Sequence, residues 1–171
     1  MKHIENFGEY SVKNVKNFMG RDAYGYNANL YRGKTKVAFV IDDGNGGEPM
    51  IDWTSRNTEE QQLLDKHCAS LPPLDSGYEG MSPLEVDAEL FIGELISNLI
   101  QEKDIKKLRR DCETKTLYRS KKDGYGQYAV IKHVIDDKVR QHLKTKYGED
   151  VEIFNDVLAQ GKIPSVFALD N

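Results

Sequence analysis

The strongest constraint on the fold is a run of apolar residues between Leu84 and Ile100. They recur at spacings of three and four, which places them on one face of a helix. These residues are Leu84, Ala88, Phe91, Ile92, Leu95, Ile96, Leu99 and Ile100. Ser82-Pro83-Leu84-Glu85 reads as a capping box with proline at the first helical position. The sequence therefore predicts a long amphipathic helix that starts at Ser82 and continues, unbroken or with one break near Lys103, to Arg110 or Cys112.

The first third of the chain predicts an antiparallel β-meander. Short β-branched and aromatic runs alternate with compact turn signals, among them Arg32-Gly33-Lys34 and the glycine-rich stretch 42–47. The four predicted strands are Tyr10–Phe18, Tyr24–Tyr31, Lys36–Ile41 and Met50–Trp53. One face of such a sheet is available for helices to cover.

The remaining elements alternate between helix and strand. Asn57 or Thr58 can cap a helix that runs to about Ala69, with Leu63 and Leu64 as its apolar anchors. A β-hairpin is predicted from Lys115–Arg119 and Gln127–Lys132 around Asp123-Gly124. Asp136 and Gly148 are typical of the two ends of a short helix, and Val151–Phe154 of a strand.

Together these elements predict an α+β fold in which an N-terminal antiparallel β-meander packs on a long amphipathic helix, completed by a C-terminal β-hairpin and a short helix. A chain of 171 residues is long enough to bury its own core. We expect a single domain over 1–171. Its segments are a meander (1–55), a helical segment (56–112), a hairpin–helix–strand segment (113–156) and a tail (157–171), whose apolar residues could dock on a neighbour.

Composition limits the classes of function. The chain has 24 Lys and Arg against 28 Asp and Glu, a net charge of −4, which argues against general nucleic-acid binding. Two cysteines and no apolar leader or span indicate a reducing cytosol and no membrane partner. The four histidines and two cysteines lack the spacing of a metal site, so we expect neither metal nor cofactor.

Two motifs between the third and fourth predicted strands are candidates for phosphate binding and for catalysis. Gly44–Gly47 resembles a phosphate cradle, but it lacks the strand-then-helix context and the following Gly-Lys-Ser/Thr of such sites. A small metal-dependent hydrolase could use four nearby carboxylates: Asp42, Asp43, Glu48 and Asp52. Residues at the end of a hairpin usually face water, so hydrolysis is the least favoured reading, and the chain is predicted not to be an enzyme.

A dense basic segment is the most asymmetric feature of the chain. Between Lys103 and Lys122 there are nine basic residues against three acidic ones, interleaved with tyrosines. Helix-dipole complementarity explains the sign of this charge but not its density. The guanidinium group of an arginine can donate two hydrogen bonds to phosphate oxygens, and a tyrosine ring can stack on a base. Both contacts would suit a nucleotide-like anion. The predicted ligand-binding residues are Arg109, Arg110, Lys115, Tyr118, Arg119, Lys122 and Tyr125.

Two alternatives to this site remain open. The basic segment could instead be a solvated helix end or a salt-bridged contact with a second subunit of a homo-oligomer. The first hairpins offer a different surface, because tyrosine, asparagine and arginine are enriched where proteins recognise partners. The predicted partner-contact residues are Arg21, Asn27, Asn29, Tyr31, Arg32 and Asn45.

Five segments resemble small uncharacterised accessory proteins of tailed phages and prophages. They are Val15–Gly20, Gly25–Arg32, Lys36–Gly47, Lys115–Arg119 and Lys146–Ile153. The resemblance implies a host-takeover or anti-defence protein that acts in the host cytoplasm, and it carries no catalytic residues with it.

The predicted function combines the charge pattern with this resemblance. We expect a non-catalytic phage-type effector that binds an anionic nucleotide-like small molecule. One such role is the sequestration of a host immune second messenger. The alternative is a protein–protein inhibitor of a host defence enzyme.

Overall fold

The computed structural model describes residues 4, 6–22, 24–56, 58–76, 80–124 and 126–167. It divides into two compact units, Met1–Leu99 and Ile100–Asn171. The first unit holds a four-stranded antiparallel meander, and the second holds a three-stranded sheet with short helices. The predicted α+β class, with its meander, long helix, hairpin and short helix, is confirmed. Within the described residues, no helix has both the length and the apolar character needed to cross a membrane.

The meander of the first unit follows the order β1-β2-β3-β4, as predicted. Its strands are β1 (Tyr10–Met19), β2 (Tyr24–Arg32), β3 (Thr35–Asp42) and β4 (Met50–Trp53). A bulge interrupts the pairing of β1 with β2 between Lys13 and Lys16, where Asn14 takes a φ of 55°. Gly33 has a φ of 59° in the β2–β3 turn, which explains the glycine there.

Two helix segments cover this sheet within the first unit. They are α1 (Glu59–Ala69) and the beginning of α2 (Ala88–Cys112), which supplies the predicted apolar stripe. Phe91 and Ile92 are fully buried, and the Phe91 ring lies 5.7 Å edge-on from the ring of Tyr10 on β1. Burial of such side chains contributes about 1.5–3 kcal/mol each. In α1, Leu64 is buried, whereas Leu63 is 38% exposed.

The predicted start of the long helix at Ser82 is wrong. Leu84 instead forms an antiparallel bridge with Leu74, in which its N–H and its carbonyl are both used, at 2.8 and 2.9 Å. The carbonyl of Leu84 is therefore not free to accept the hydrogen bond from the N–H of Ala88 that a helix starting at Ser82 would need. Helix α2 starts at Ala88, after Asp87, whose carboxylate accepts a hydrogen bond from the N–H of Leu90 at 2.8 Å. At α1, Thr58 makes no side-chain capping bond, and Asn57 lies outside the described residues.

Gly25 on β2 leaves no room for a side chain. A Cβ at this position would lie 2.4 Å from the carbonyl oxygen of Asp42 and 2.6 Å from the ring of Phe18. We expect Gly25→Ala to lower the free energy of unfolding by about 2 kcal/mol or more, because backbone cannot yield as a flexible side chain does. Denaturant titration measures the loss. Gly47→Ala, with open space around its Cβ, is the matched control, and an equal loss in both variants would contradict the steric argument.

Arg32 joins the sheet to α1. Its Nε and Nη2 donate to the two carboxylate oxygens of Glu60 at 2.8 and 2.6 Å, and Glu9 lies 3.8 Å from Nη1. The hydrogen bond to Arg32 holds the pKa of Glu60 below its ordinary value of 4.5. Arg32, predicted as a partner contact, is therefore occupied within its own unit.

This ion pair makes the stability of the first unit depend on pH. Because the folded pKa of Glu60 is lowered, its contribution is fully present above pH 4.5 and disappears as pH falls through the folded value. We expect Glu60→Gln to be less stable than the wild type at neutral pH, with the difference shrinking in acid. Thermal unfolding from neutral pH downwards measures this. Glu59→Gln, at an exposed site in the same turn, is the control. A Glu60→Gln deficit that stayed constant with pH would contradict the assignment.

The second unit is built around a short central strand. Its sheet has the order β6-β5-β7, with β5 (Thr116–Arg119), β6 (Ala129–Ile131) and β7 (Glu152–Ile153). It also contains α3 (Asp137–Tyr147), α4 (Phe154–Ala159) and a 3-10 turn (Ser165–Phe167). The predicted ends of α3 are confirmed: the Asp136 carboxylate accepts from Val139 N–H at 2.8 Å, and Gly148 closes the helix with a φ of 92°.

Two hydrophobic clusters form the core of this unit. Tyr118, Leu143, Val151 and Ile153 make up one, and Leu108, Leu117 and Phe154 make up the other. Consecutive residues of β5 thus face different clusters. Val166 and Phe167, within the segment expected to be a tail, pack against the Phe154 cluster.

Asn155 fixes the end of α2 against β5. Its Nδ2 donates to the carbonyls of Cys112 and Lys115, both at 2.9 Å, and its Oδ1 accepts from Leu117 N–H at 3.1 Å. One amide therefore satisfies groups that a helix end would otherwise leave without partners.

Candidate anion-binding face

The part of α2 in the second unit carries four of its five basic residues on one side, and Arg109 lies outside this group. Leu108 is 2% exposed and packs in the Phe154 cluster, so the opposite side of the helix faces solvent. At about 100° per residue, the basic residues spaced three and four apart fall within an arc of about 100° on that exposed side. These residues, which we call the basic ridge, are Lys103, Lys106, Lys107 and Arg110.

The charges of the basic ridge are not neutralised within the described part of the chain. All four side chains belong to exposed residues, and none has a carboxylate within 4.0 Å there. Like charges at these helical spacings destabilise a helix by about 0.2–0.5 kcal/mol per pair. The negative end of the helix dipole offsets part of this repulsion. The four cations therefore repel one another without a close ion pair among the described residues, and a bound anion would reduce this repulsion.

Two neighbouring cations are neutralised. Lys115 Nζ lies 3.0 Å from Asp111, and Lys121 Nζ lies 2.6 Å from Asp150. The hydrogen bond from Lys115 is the main cause of the lowered pKa of Asp111, and Lys107 and Arg110 lower it further. Lys115 is thus less available to a ligand than the sequence pattern indicates.

The other predicted ligand-binding residues have different fates. Arg109, Arg110 and Lys122 are exposed, and no described carboxylate lies within ion-pair distance of them. Arg119 is half-buried, and its Nη1 donates to Ser165 Oγ at 3.4 Å. Tyr125 lies outside the described residues.

Tyr118 is part of the core, which corrects its predicted role as a stacking platform. Only 8% of the residue is exposed, and its hydroxyl lies 3.1 Å from that of Tyr147. This hydrogen bond, together with burial, raises the pKa of Tyr118 to about 12. The ring faces Leu143 and Ile153 in the core, so a base has no access to it.

A hollow of about 220 Å³ adjoins the basic ridge. It is lined by Asp104, Lys107, Leu108, Gly126, Tyr128, Val166 and Phe167, so Lys107 belongs to both features. Tyr128 is 38% exposed, and its ring packs 5.5 Å from that of Phe154. None of the predicted ligand-binding residues that the structure describes lines this hollow.

The wall of the hollow at Ser165–Phe167 is fixed by hydrogen bonds. The Glu152 carboxylate accepts from Ser165 N–H at 2.7 Å and also from the Ser165 hydroxyl. Gln101 Nε2, on α2, donates to the carbonyl of Phe167 at 2.7 Å. The hollow is therefore formed before any ligand arrives.

No protein-family model matches the chain, and no curated protein or solved structure is significantly similar to it.

The predicted partner-contact residues of the first unit are only partly accessible. Asn27, Asn29 and Tyr31 are half-buried on β2, and Lys13 Nζ lies 4.3 Å from the centre of the Tyr31 ring. Asn45 accepts from the N–H of Arg21 at 3.2 Å, which joins two turns at one end of the sheet. The Arg21 side chain is 86% exposed and lies 3.7 Å from the carboxylate of Asp22.

The carboxylates considered for metal chemistry are engaged in their own turn. Asp42 accepts from Gly44 N–H at 2.8 Å, and Asp43 accepts from Asn45 N–H at 3.0 Å. Across the described residues, no group of three or more His, Cys, Asp or Glu side chains is placed to hold a metal ion.

Proposed function

We propose that the chain is a non-catalytic binding protein whose basic ridge holds a phosphate-bearing, nucleotide-like anion. The observation that carries the proposal is the row of four exposed cations, none of which has a carboxylate within 4.0 Å in the described part of the chain. Arg110 can engage two phosphate oxygens through its planar fork, and the three lysines supply point charges along the same side of the helix.

The charge of the whole second unit supports an anionic ligand. It contains 15 Lys and Arg against 12 Asp and Glu, a net charge of +3, whereas the first unit has a net charge of −7. A positive unit attracts anions over a distance of about 8–10 Å at physiological salt. The excess is modest, which favours a small anion over a long polyanion.

Titration calorimetry with tripolyphosphate and nucleoside triphosphates tests this proposal. We expect binding that weakens as salt rises, because the ridge contacts are exposed. We expect Lys103→Gln with Arg110→Gln to reduce the affinity at least tenfold. Lys132→Gln with Lys138→Gln, which removes the same charge outside α2, is the matched control. Absence of binding to every phosphate compound would overturn the proposal.

The biological role that we propose is sequestration in the cytoplasm of an infected host. The resemblance to phage accessory proteins supports this context, and a fixed site with no metal-holding group of His, Cys, Asp or Glu among the described residues suits a protein that holds its ligand intact. A panel of cyclic dinucleotides, cyclic trinucleotides and cyclic ADP-ribose isomers tests it. Recovery of an unmodified ligand after binding is expected, and conversion of the ligand would contradict a purely binding role.

A second candidate function is inhibition of a host enzyme by direct contact. The end of the β1–β2 hairpin favours it, since Met19 and Tyr24 face each other across the strands and are 68% and 71% exposed. Exposed apolar pairs of this kind are typical of contact surfaces. Met19→Glu with Tyr24→Glu should abolish capture of a stoichiometric host enzyme while leaving phosphate binding unchanged. Unchanged capture would remove this surface from consideration.

A further inference from the structure

The hollow beside the basic ridge differs from the ridge in its chemistry. Its walls are mostly apolar, from Leu108, Val166, Phe167 and the ring of Tyr128. Asp104 adds a carboxylate to the lining, and Lys107 adds the cation that also belongs to the ridge. A phosphate group entering the hollow would meet the like charge of Asp104 and a mostly apolar wall, with Lys107 alone to compensate for the water that it loses. The hollow therefore selects an uncharged group.

The size of the hollow limits that group. At about 220 Å³ it is smaller than the roughly 300–1,000 Å³ of sites that enclose a whole drug-sized ligand. It has room for one flat ring system, and a dinucleotide would have to leave most of its atoms outside. Tyr128, 38% exposed, offers an aromatic face on which such a ring can stack. The Asp104 carboxylate only accepts hydrogen bonds, so a ring with N–H donors on its edge suits it best.

From these features we infer that the hollow takes a single nucleobase of the ligand, while Lys107 and the rest of the basic ridge hold the attached phosphates. This inference rests on the proposed function and deepens it, because it places base and phosphate in two adjoining subsites that share Lys107. The ligand class is then a nucleotide presenting one accessible base. Inorganic polyphosphate would fill only the ridge.

The fixed wall lowers the conformational entropy cost of binding the base. Ser165 and Phe167 are already held through Glu152 and Gln101 at hydrogen-bond distances of 2.7 Å. A preformed wall loses little freedom when the base enters. The preference for a nucleotide over a bare phosphate chain should therefore approach the full value of base stacking.

The test compares a nucleoside triphosphate with tripolyphosphate, which share the same chain of three phosphates. Using the full-length protein and calorimetry, we expect the nucleotide to bind about tenfold to a hundredfold more tightly. Equal affinity would overturn the inference while leaving the proposed function standing. Failure of both compounds to bind would overturn the proposed function, and the inference with it.

A variant that fills the hollow provides the matched control. Val166→Trp adds bulk without changing charge, so it should remove the preference for the nucleotide while tripolyphosphate binds as before. A retained preference in a folded variant would overturn the inference. The wild-type protein gives a second readout by nuclear magnetic resonance. Saturation transfer between the Tyr128 or Phe167 ring protons and the base protons is expected, and its absence in a saturated complex would likewise overturn the inference.

Discussion

Reversal of three charges on the basic ridge is expected to abolish binding of phosphate compounds. In the variant Lys103→Glu/Lys107→Glu/Arg110→Glu, three attractions become three repulsions on one side of the helix. If each phosphate contact contributes about 1.4 kcal/mol, a tenfold factor, the combined loss is at least a thousandfold. Calorimetry with tripolyphosphate measures it, and circular dichroism checks that the helix persists. Folding should be retained, because all three residues are exposed.

The control for this variant has the same net charge. Lys132→Glu/Lys138→Glu/Lys146→Glu makes an identical change of charge at exposed positions outside α2. Long-range attraction alone would weaken binding to a similar extent in both variants, since it depends on total charge. A local site predicts that the control keeps most of its affinity. Equal losses would contradict a site on the ridge.

Phe154→Ala is expected to have the largest effect on stability. The residue is fully buried between Leu108 and Leu117, and the ring of Tyr128 packs against it. Truncation of a buried phenylalanine typically costs about 3–5 kcal/mol, from lost burial and from the cavity that remains. Such a loss is a large fraction of the total stability of a domain. The base subsite should be lost as well, since Tyr128 would lose its support.

Two measurements locate this effect in the second unit. Amide hydrogen exchange at Thr116, Leu117 and Tyr118 should become much faster in the variant, since these residues form the central strand there. Trp53, the single tryptophan of the chain, lies on β4 and reports on the first unit through its fluorescence. Phe39→Ala, the same truncation at a half-buried site of the meander, should cost less. A loss below about 1 kcal/mol for Phe154→Ala would contradict its place in the core.

Local patterns were sufficient to predict the meander and the ends of α3. Both depend on signals close together in the chain, such as the alternation along β2 or the pair Asp136 and Gly148. The start of α2 was missed because its cause is not local. The segment around Ser82 has a strong capping pattern, yet Leu84 pairs with Leu74, ten residues earlier. A pairing over this distance cannot be predicted from the helix propensity of the residues around Ser82.

The candidate site was predictable only in its charge. The spacing of the lysines on α2 is visible in the sequence, so the side of the helix that bears them follows from geometry. The sequence does not reveal that the Tyr118 side chain points into the core. Strand β5 is central to its sheet and buried on both faces, so its residues do not alternate between buried and exposed. The hollow was missed because Val166 and Phe167 come from a segment with little regular pattern. The proline and glycine there indicated only an irregular chain, yet Pro164 is fully buried.

A single nitrogen atom, Nδ2 of Asn155, holds the end of the helix that carries the basic ridge. That nitrogen donates to the carbonyls of Cys112 and Lys115, where α2 ends and β5 begins. Replacing it with oxygen, as in hydrolysis to aspartate, changes almost nothing in shape but sets a negative charge against two carbonyl oxygens. The joint between helix and strand would then open without any loss of bulk. The integrity of the ligand face is therefore expected to depend on the chemical state of this one amide as well as on the amount of folded protein.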